Sequence, residues 1–223
     1  LVTPLVTIGS GVAVSALLAP TLGAIAMKVG DLIMLATNLQ PFWMGIAVSV
    51  LVGVALTLPI SSAAICAAFG LTGLAGGAAV AGCCAQMVGF AVMSFRENKW
   101  GGLVSQGIGT SMLQMGNIIK NPRIWIAPIV TSAITGPLAT CLFKLQMNGT
   151  PVSSGMGTCG LVGQIGVYTG WMNDIEAGTK SAVTAIDWIG LILISFVLPA
   201  VLCPLNMVVR KLGWVKDGDM TLS

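Results

Sequence analysis

Long apolar runs separated by short polar stretches dominate the pattern along the chain. Four runs have at least roughly the length of about twenty residues that a membrane-spanning helix needs; they are residues 1–19, 42–62, 124–143 and 183–208. A fifth run, 63–95, is too long for one upright helix and is rich in small residues. We therefore expect it to form one long or broken helix that packs closely on its neighbours. The alternating ten-residue segments of a membrane β-barrel do not occur, so the pattern predicts a helical bundle.

The stretch 21–40 differs from these runs. Its apolar residues recur at helical spacing, but Lys28, Asp31 and Asn38 interrupt them, and Pro41 follows. This pattern predicts an amphipathic helix that lies along the membrane surface and ends before the proline.

Two further stretches, 102–121 and 151–172, are as apolar as membrane segments yet rich in Gly, Ser, Thr, Gln and Asn. Irregular backbone at membrane depth is tolerated only where it is buried in protein or lines a water-filled cavity. Both stretches are therefore predicted to be re-entrant hairpins.

The cations give a test of this topology. If both hairpins re-enter and every other run crosses once, all Lys and Arg residues except Lys144 and Lys180 fall on one side. Because cytoplasmic loops are enriched in Lys and Arg, that side is predicted to be the cytoplasm. The two hairpins then enter from opposite sides, and the C-terminus is cytoplasmic.

Composition strengthens the membrane prediction. The chain is 56% hydrophobic and only 8% charged, with a mean hydropathy of +0.96, whereas soluble domains carry roughly 25% charged residues. We expect an all-α integral membrane protein with a single membrane domain over residues 1–223. The sequence starts abruptly inside an apolar run, so we also expect N-terminal helices of a longer protein to be missing.

Histidine is absent, and the six cysteines form no C-x-x-C pair. Metal binding, haem binding and Ser-His or Cys-His catalysis therefore have almost no candidate residues. We expect no cofactor, no metal, no catalytic residue and no nucleic-acid partner.

The stretch "SSGMGTCGLVGQIG" contains G-x-G-x-x-G at Gly155, Gly157 and Gly160. A dinucleotide-binding fingerprint needs a preceding strand, a following helix and an acidic residue about twenty positions later. Here the motif lies between membrane segments, and Asp174 is too close and in a loop. We therefore reject nucleotide binding for this motif.

The pattern G-x-G-T-x-x-L occurs twice, at residues 107–113 and 155–161, once in each predicted hairpin. Inverted pairs of broken elements that meet near the membrane midplane form the substrate site of many transporters. The repeat favours such a site, although chance similarity is the alternative in a chain with 29 glycines.

Uncharged hydroxyl and amide side chains in the two hairpins, and at the break near Pro59, suit a neutral polyhydroxy solute or an ascorbate-like one. The alternative is that they only satisfy backbone groups freed by the irregular structure. The candidate substrate-binding residues are Thr110, Ser111, Gln114, Asn117, Ser154, Thr158, Gln164, Ser61 and Ser62.

Three blocks carry a resemblance to a known family. They are "LQPFWMGIAVSVLVGVALTLPISSAA", "IGTSMLQMGNIIKNPRIWIAPIVTSAITGPLAT" and "GMGTCGLVGQIG". Together they resemble the PTS system EIIC-like, or PfoR-type, membrane proteins, named for a regulator of perfringolysin, over most of the chain from Leu17 to Leu212. The resemblance implies an EIIC-type transporter bundle in the bacterial cytoplasmic (inner) membrane, a homodimer, and possible EIIA/EIIB phosphocarrier partners. The small-residue surface between Gly70 and Gly82 is a second reason to expect a dimer.

The chain also departs from the pattern of the sugar EIIC subunits of the glucose group. These use a membrane His and a Glu in a re-entrant loop, whereas this chain has no His and no Glu in either hairpin. Phosphorylation-coupled transport therefore stays open. Two functions remain: a permease for a sugar or sugar-like solute, and a non-transporting PfoR-type sensor or regulator that retains an EIIC-like pocket.

Overall fold

The structure is a computed structural model, and it describes residues 12, 24, 27–203, 213 and 215–222. Except for Val12, the predicted span over 1–19 lies outside these residues. The described part is helical, with one isolated bridge between Gly73 and Met147 and no strand. The prediction of an all-α membrane protein is confirmed.

The helices of the described part follow the chain with short connections. They are α1 (residues 27–39), α2 (Pro41–Thr57), α3 (Ser62–Phe69), α4 (Gly73–Met93), α5 (Phe95–Val104), α6 (Met115–Lys120), α7 (Ile126–Pro137), α8 (Pro151–Ser154), α9 (Val162–Glu176), α10 (Ala185–Ile192) and α11 (Leu198–Leu202). Tighter or wider helical turns extend several of them. These turns are Ser105–Gly109, Ser111–Gln114, Pro122–Trp125, Leu138–Leu142, Cys159–Leu161 and Leu193–Val197.

Three continuous helical stretches within the described residues are long and apolar enough to cross a membrane. They are Gly73–Met93, Pro122–Leu142 and Ala185–Leu202. The last two agree with the predicted runs 124–143 and 183–208. The run 63–95 is a broken helix, because α3 ends at Gly70 in a left-handed conformation with φ 61° and α4 starts at Gly73.

Helix α4 is the core of the bundle, and its residues from Ala75 to Ala91 are all buried. Its glycines make this possible, because a Cβ added to Gly82 would collide with the carbonyl of Ser49 and one added to Gly77 with that of Leu145. From Ala75 to Gly82 the small-residue surface is thus covered within the chain. These residues are not available for the dimer contact that the sequence suggested.

Helix α7 runs antiparallel to α2. Ser49 Oγ of α2 donates a hydrogen bond of 2.7 Å to Ser132 O of α7. Gly45, four residues before Ser49 on α2, lies close to Gly136, four residues after Ser132 on α7. A Cβ on Gly45 would lie 3.3 Å from the Gly136 carbonyl.

Helix α7 also runs antiparallel to α4. Ser132 Oγ lies 3.5 Å from Gly82 O, and Pro128 Cβ would lie 3.9 Å from a Cβ added to Gly89, seven residues further along α4. Since α7 opposes both helices, α2 and α4 are parallel. Between α2 and α4 the chain must therefore return to the end of the bundle at which α2 begins.

The return occurs at the sequence "TLPISS". Helix α2 ends at Thr57, because Pro59 lacks an amide hydrogen and disfavours helical geometry in the residue before it. Helix α3 then leads back towards α1, where Phe69 packs against Gly30. The chain thus turns back after α2, and the expectation that the run 42–62 crosses the membrane once stays a prediction. Apolar character continues through the break, so hydropathy alone did not reveal the reversal.

The ends of α4 define the two ends of the bundle. At the Gly73 end, the backbone of Gly73 exchanges two hydrogen bonds of 3.0 Å with Met147. At the Met93 end, a buried apolar cluster includes Met93, Ile118, Ile124 and Met220. The C-terminal residues 215–222 therefore pack at the Met93 end.

Candidate functional site

The first predicted hairpin, 102–121, is broken at its centre. Thr110 is fully extended, with φ −158° and ψ 142°, between the turn that ends at Gly109 and the turn that begins at Ser111. Its two arms start and finish at the same end of the bundle, because α5 follows α4 directly and Ile118 of α6 belongs to the cluster around Met93.

The second predicted hairpin, 151–172, consists of the four-residue helix α8, a turn with left-handed glycines, and α9. Its base closes at the Gly73 end, where a Cβ on Gly170 would lie 2.7 Å from Asn148 N. Its tip approaches the middle of α4, because Gly157 packs against Cys83.

The tips of the two segments meet. The turn Ser105–Gly109 contacts the turn Cys159–Leu161. Thr158 Oγ1 donates to Met87 Sδ at 3.5 Å. Ser111 lies beside Thr57, which contacts Gln86, the residue before Met87 on α4. Two segments that enter from opposite ends of the bundle thus reach the same level of α4.

A buried polar network occupies this level. Thr57 Oγ1 lies 3.0 Å from Ser111 Oγ and 3.4 Å from Gln86 Oε1. Gln86 Nε2 donates to Ser132 Oγ at 3.3 Å, and the indole of Trp125 donates to Gln86 Oε1 at 3.0 Å. Every member is uncharged, so the network offers hydroxyl and amide groups and neither an acid nor a base.

Two predicted site residues contact the C-terminal segment. Gln114 Nε2 donates 3.0 Å hydrogen bonds to Gln106 Oε1 and to Met220 O. Asn117 Nδ2 donates to Gln114 Oε1 at 2.8 Å and to Thr221 O at 3.0 Å. These amides therefore hold the backbone of the last residues against the first hairpin.

The remaining residues of the first hairpin and of the "TLPISS" break have mostly local contacts. Thr110 Oγ1 accepts from Met112 N, and Thr110 N donates to Ser105 O, so its amide hydrogen is occupied. Ser61 caps α3 by accepting from Ala64 N. Ser62 Oγ, by contrast, donates 2.7 Å to Gly155 O and so joins the break to the second hairpin.

In the second hairpin, Ser154 Oγ is buried and donates to the carbonyls of Pro151 and Leu71. Gln164 Nε2 donates to Cys84 Sγ at 3.3 Å, while its buried Oε1 has no hydrogen-bond partner among the described residues. The structure therefore brings Ser111 and Thr158 to the polar level of α4, and it places Gln114 and Asn117 towards the Met93 end.

The two copies of G-x-G-T-x-x-L differ in backbone conformation. Thr110 is extended, whereas Thr158 has φ −84° and ψ 1°. Gly157 has a φ of 54°, in the left-handed region, while no glycine of the first copy does. The two copies of the motif therefore do not adopt the same backbone conformation.

Sequence reasoning missed Thr57, Gln86, Trp125 and Ser132 as members of the polar level. A signal for Gln86 existed, since it is the one amide in the apolar run 63–95. Within the described residues, no group of three or more His, Cys, Asp or Glu side chains is placed to hold a metal ion.

A buried central helix, flanking helices long enough to span a bilayer and two broken segments that meet at an uncharged level define an α-helical membrane protein. The family model described as Phosphotransferase system, EIIC matches residues 1–222, and the chain belongs to this family of membrane permeases. No curated protein and no solved structure matches the chain. The resemblance to EIIC-like proteins is confirmed, while the PfoR-type assignment stays a hypothesis.

Proposed function

We propose that the protein is a permease that binds a sugar or sugar-like solute where its two broken segments meet on α4, and carries it across the bacterial inner membrane. The observation that carries this proposal is the buried network of Thr57, Gln86, Ser111 and Ser132. In the core of a membrane protein, such a cluster of uncharged polar groups fits a neutral solute with several hydroxyls.

The lengths of the broken arms support re-entrant hairpins. Ser111–Lys120 contains ten residues, about 15 Å of helix, against a hydrocarbon core of roughly 30 Å. The α2–α3 pair is a third element of this kind, since α2 extends about 25 Å and α3 returns. Each of these elements would begin and end on one side of the membrane.

The network gives a physical route for solute binding. Its hydrogen bonds pair one hydroxyl or amide with another, so a polyhydroxy solute can replace them one for one without leaving a buried group unpaired. Thr158 and Thr110 flank this level, and we include both in the binding site. The turn at Ser61 and Ser62 borders it through the contact of Ser62 with Gly155.

We place the Met93 end in the cytoplasm. The described cations at this end are Arg96, Lys99, Lys120, Arg123 and Lys216. Those at the Gly73 end are Lys28, Lys144 and Lys180. The excess at the Met93 end agrees with the positive-inside rule, and it puts the C-terminal residues, with any EIIA or EIIB partner, on the cytoplasmic side. A homodimer stays part of the proposal on the family resemblance alone.

The direct test is uptake of radiolabelled sugars and polyols into proteoliposomes. We expect saturable uptake of at least one solute and its loss in Gln86→Leu, which removes the amide shared by Thr57, Ser132 and Trp125. Gln40→Leu is the matched control, because Gln40 is exposed just before α2 and its side chain forms no capping hydrogen bond. Binding without uptake of any solute would instead favour the sensor or regulator function.

A further inference from the structure

A second polar site lies at the Gly73 end, outside the network on α4. A cavity of about 350 Å³ opens there, beneath the loop that follows α7 and beside the start of α10. Its size falls at the lower end of the range for small-molecule sites. The side chains that carry its chemistry are Lys144, Asn148, Trp171, Asp174, Lys180 and Asp187.

One wall of the cavity is a fixed ion pair. Lys180 Nζ lies 2.7 Å from Asp187 Oδ2, and only about a fifth to a quarter of each side chain is exposed. The ammonium also lies 5.3 Å from the ring centre of Trp171, and Asp187 accepts hydrogen bonds of 2.8 Å from both N and Oγ1 of Thr184. This wall is rigid and electrically balanced.

The other wall carries two charges that no opposite charge among the described residues neutralises. Asp174 is held by an amide, since Asn148 Nδ2 donates to its two oxygens at 3.0 and 2.8 Å, and no cation within the described residues forms an ion pair with it. Lys144 is exposed, with a left-handed φ of 45°, and likewise forms no ion pair there. The cavity therefore presents one carboxylate and one ammonium that form no ion pair among the described residues.

This combination selects the charge of the ligand. An organic anion would be attracted by Lys144 but repelled by Asp174. A cation would be attracted by Asp174 but repelled by Lys144. A neutral polyhydroxy compound can donate hydroxyl hydrogens to Asp174 and accept from Lys144 at the same time, and hydrogen bonds to charged groups are the stronger kind.

We propose that this cavity is a second binding site for a neutral polyhydroxy solute, positioned to hold it before or after it passes the level of α4. The site rests on the proposed function only for its role in transport, because binding at the cavity can be measured without uptake. Its location at the end opposite the C-terminal residues makes it the non-cytoplasmic vestibule in the orientation proposed above.

Solute protection of an introduced thiol tests the site. Gln146→Cys, exposed on the rim, is made together with Cys141→Ser and Cys159→Ser, and the rate of labelling by a membrane-impermeant maleimide is measured in proteoliposomes. The neutral probes are D-glucose, D-mannose, D-galactose, sorbitol and mannitol; gluconate and glucosamine are the charged probes. We expect at least one neutral probe to slow labelling more than either charged probe.

Two controls separate cavity binding from general effects. Lys99→Cys, on the same background at the Met93 end, should label at an unchanged rate with every probe. Adding Lys144→Met should raise the half-protecting concentration about tenfold, the effect of one charge-assisted hydrogen bond. Lys28→Met, which removes an exposed lysine of α1 outside the cavity, should leave it unchanged.

The outcomes distinguish this site from the proposed function. If no neutral probe protects Gln146→Cys, or if Lys144→Met leaves protection unchanged, the second site is refuted even when uptake is normal. If protection is found but no solute enters proteoliposomes, the site stands and the permease function is refuted. Stronger protection by gluconate or glucosamine would refute the neutral-ligand assignment.

Discussion

The hydroxyl of Ser111 lies 3.0 Å from the hydroxyl of Thr57, although 54 residues separate them in the chain. This contact joins the tip of one broken segment to the end of α2. Since Thr57 also neighbours Gln86 of the central helix, three elements share one buried polar level. The contact ties the fold to the proposed solute site, because moving any of the three elements would change this level.

Removing either hydroxyl should weaken solute binding. We expect Thr57→Val and Ser111→Ala each to raise the dissociation constant about fivefold, which corresponds to roughly 1 kcal/mol for one net hydrogen bond. The loss of binding free energy in the double variant should differ from the sum of the losses in the two single variants, because neighbours that share a ligand couple energetically. Binding isotherms for a solute found in the uptake assay give the measurement. Thr169→Val, whose hydroxyl bonds locally to Gly166 O on α9, should bind like the parent.

The paired threonines test whether the repeated G-x-G-T motif has a function. We expect Thr110→Val and Thr158→Val each to cost solute binding about 1 to 2 kcal/mol. Thr158 is completely buried and Thr110 partly so, and valine preserves the shape of each. Equal affinity of both variants and the parent would reduce the motif to a packing feature and leave the site with Thr57, Gln86 and Ser111.

Cysteine accessibility tests the reversal between α2 and α4. On a background without the native cysteines, Lys28→Cys and Lys144→Cys should react with an impermeant reagent from one side. Arg96→Cys and Lys120→Cys should react from the other, and all four side chains are exposed. If Lys28→Cys labels together with Arg96→Cys, the run 42–62 crosses the membrane, as hydropathy alone suggested.

Hydropathy predicted the helices whose ends are marked by charge. The runs 124–143 and 183–208 are bounded by Arg123 and Lys144, and by Lys180 and Arg210, so the limits of the spans are visible in the sequence. The reversal at Pro59 was not visible, because hydropathy reports how apolar a segment is and contains no information on its direction. Direction followed only from which residues of α7 face α2 and α4.

The sequence predicted only part of the candidate site, and the reason is similar. Polar residues within apolar hairpins were recognised from composition, but their partners depend on how distant segments pack. Gln114 and Asn117 bond to the C-terminal segment, which lies about a hundred residues away, while Gln86 came from a helix that looked purely structural. Local pattern thus identified the kind of group needed, and tertiary contacts determined which groups meet.

The C-terminal segment should contribute to stability. Met220 is completely buried in the cluster at the Met93 end, so Met220→Ala should lower the free energy of unfolding by about 2 to 3 kcal/mol. Thermal unfolding of the detergent-solubilised protein should show a lower midpoint. Thr221→Ala, at an exposed neighbour, should leave the midpoint within error of the parent, and a Met220→Ala midpoint equal to that of the parent would contradict the packing.

The close approach of the second hairpin to α4 should make one glycine irreplaceable. Gly157 has a φ of 54°, and a Cβ placed on it would lie 2.6 Å from Cys83 Cβ and 2.9 Å from the backbone of Cys83 and Cys84. Left-handed geometry and overpacking both oppose a side chain, so Gly157→Ala should destabilise the protein by about 3 kcal/mol. Gly116→Ala is the control, since Gly116 lies in α6 with nothing within 4 Å of an added Cβ, and alanine there should be neutral or slightly stabilising. Unfolding midpoints measured in detergent compare Gly157→Ala with Gly116→Ala.

Because the Cys83 side chain causes part of the clash, Gly157→Ala combined with Cys83→Gly should recover some of the lost stability. Equal midpoints for Gly157→Ala and Gly116→Ala would show that the hairpin tip does not rest on α4.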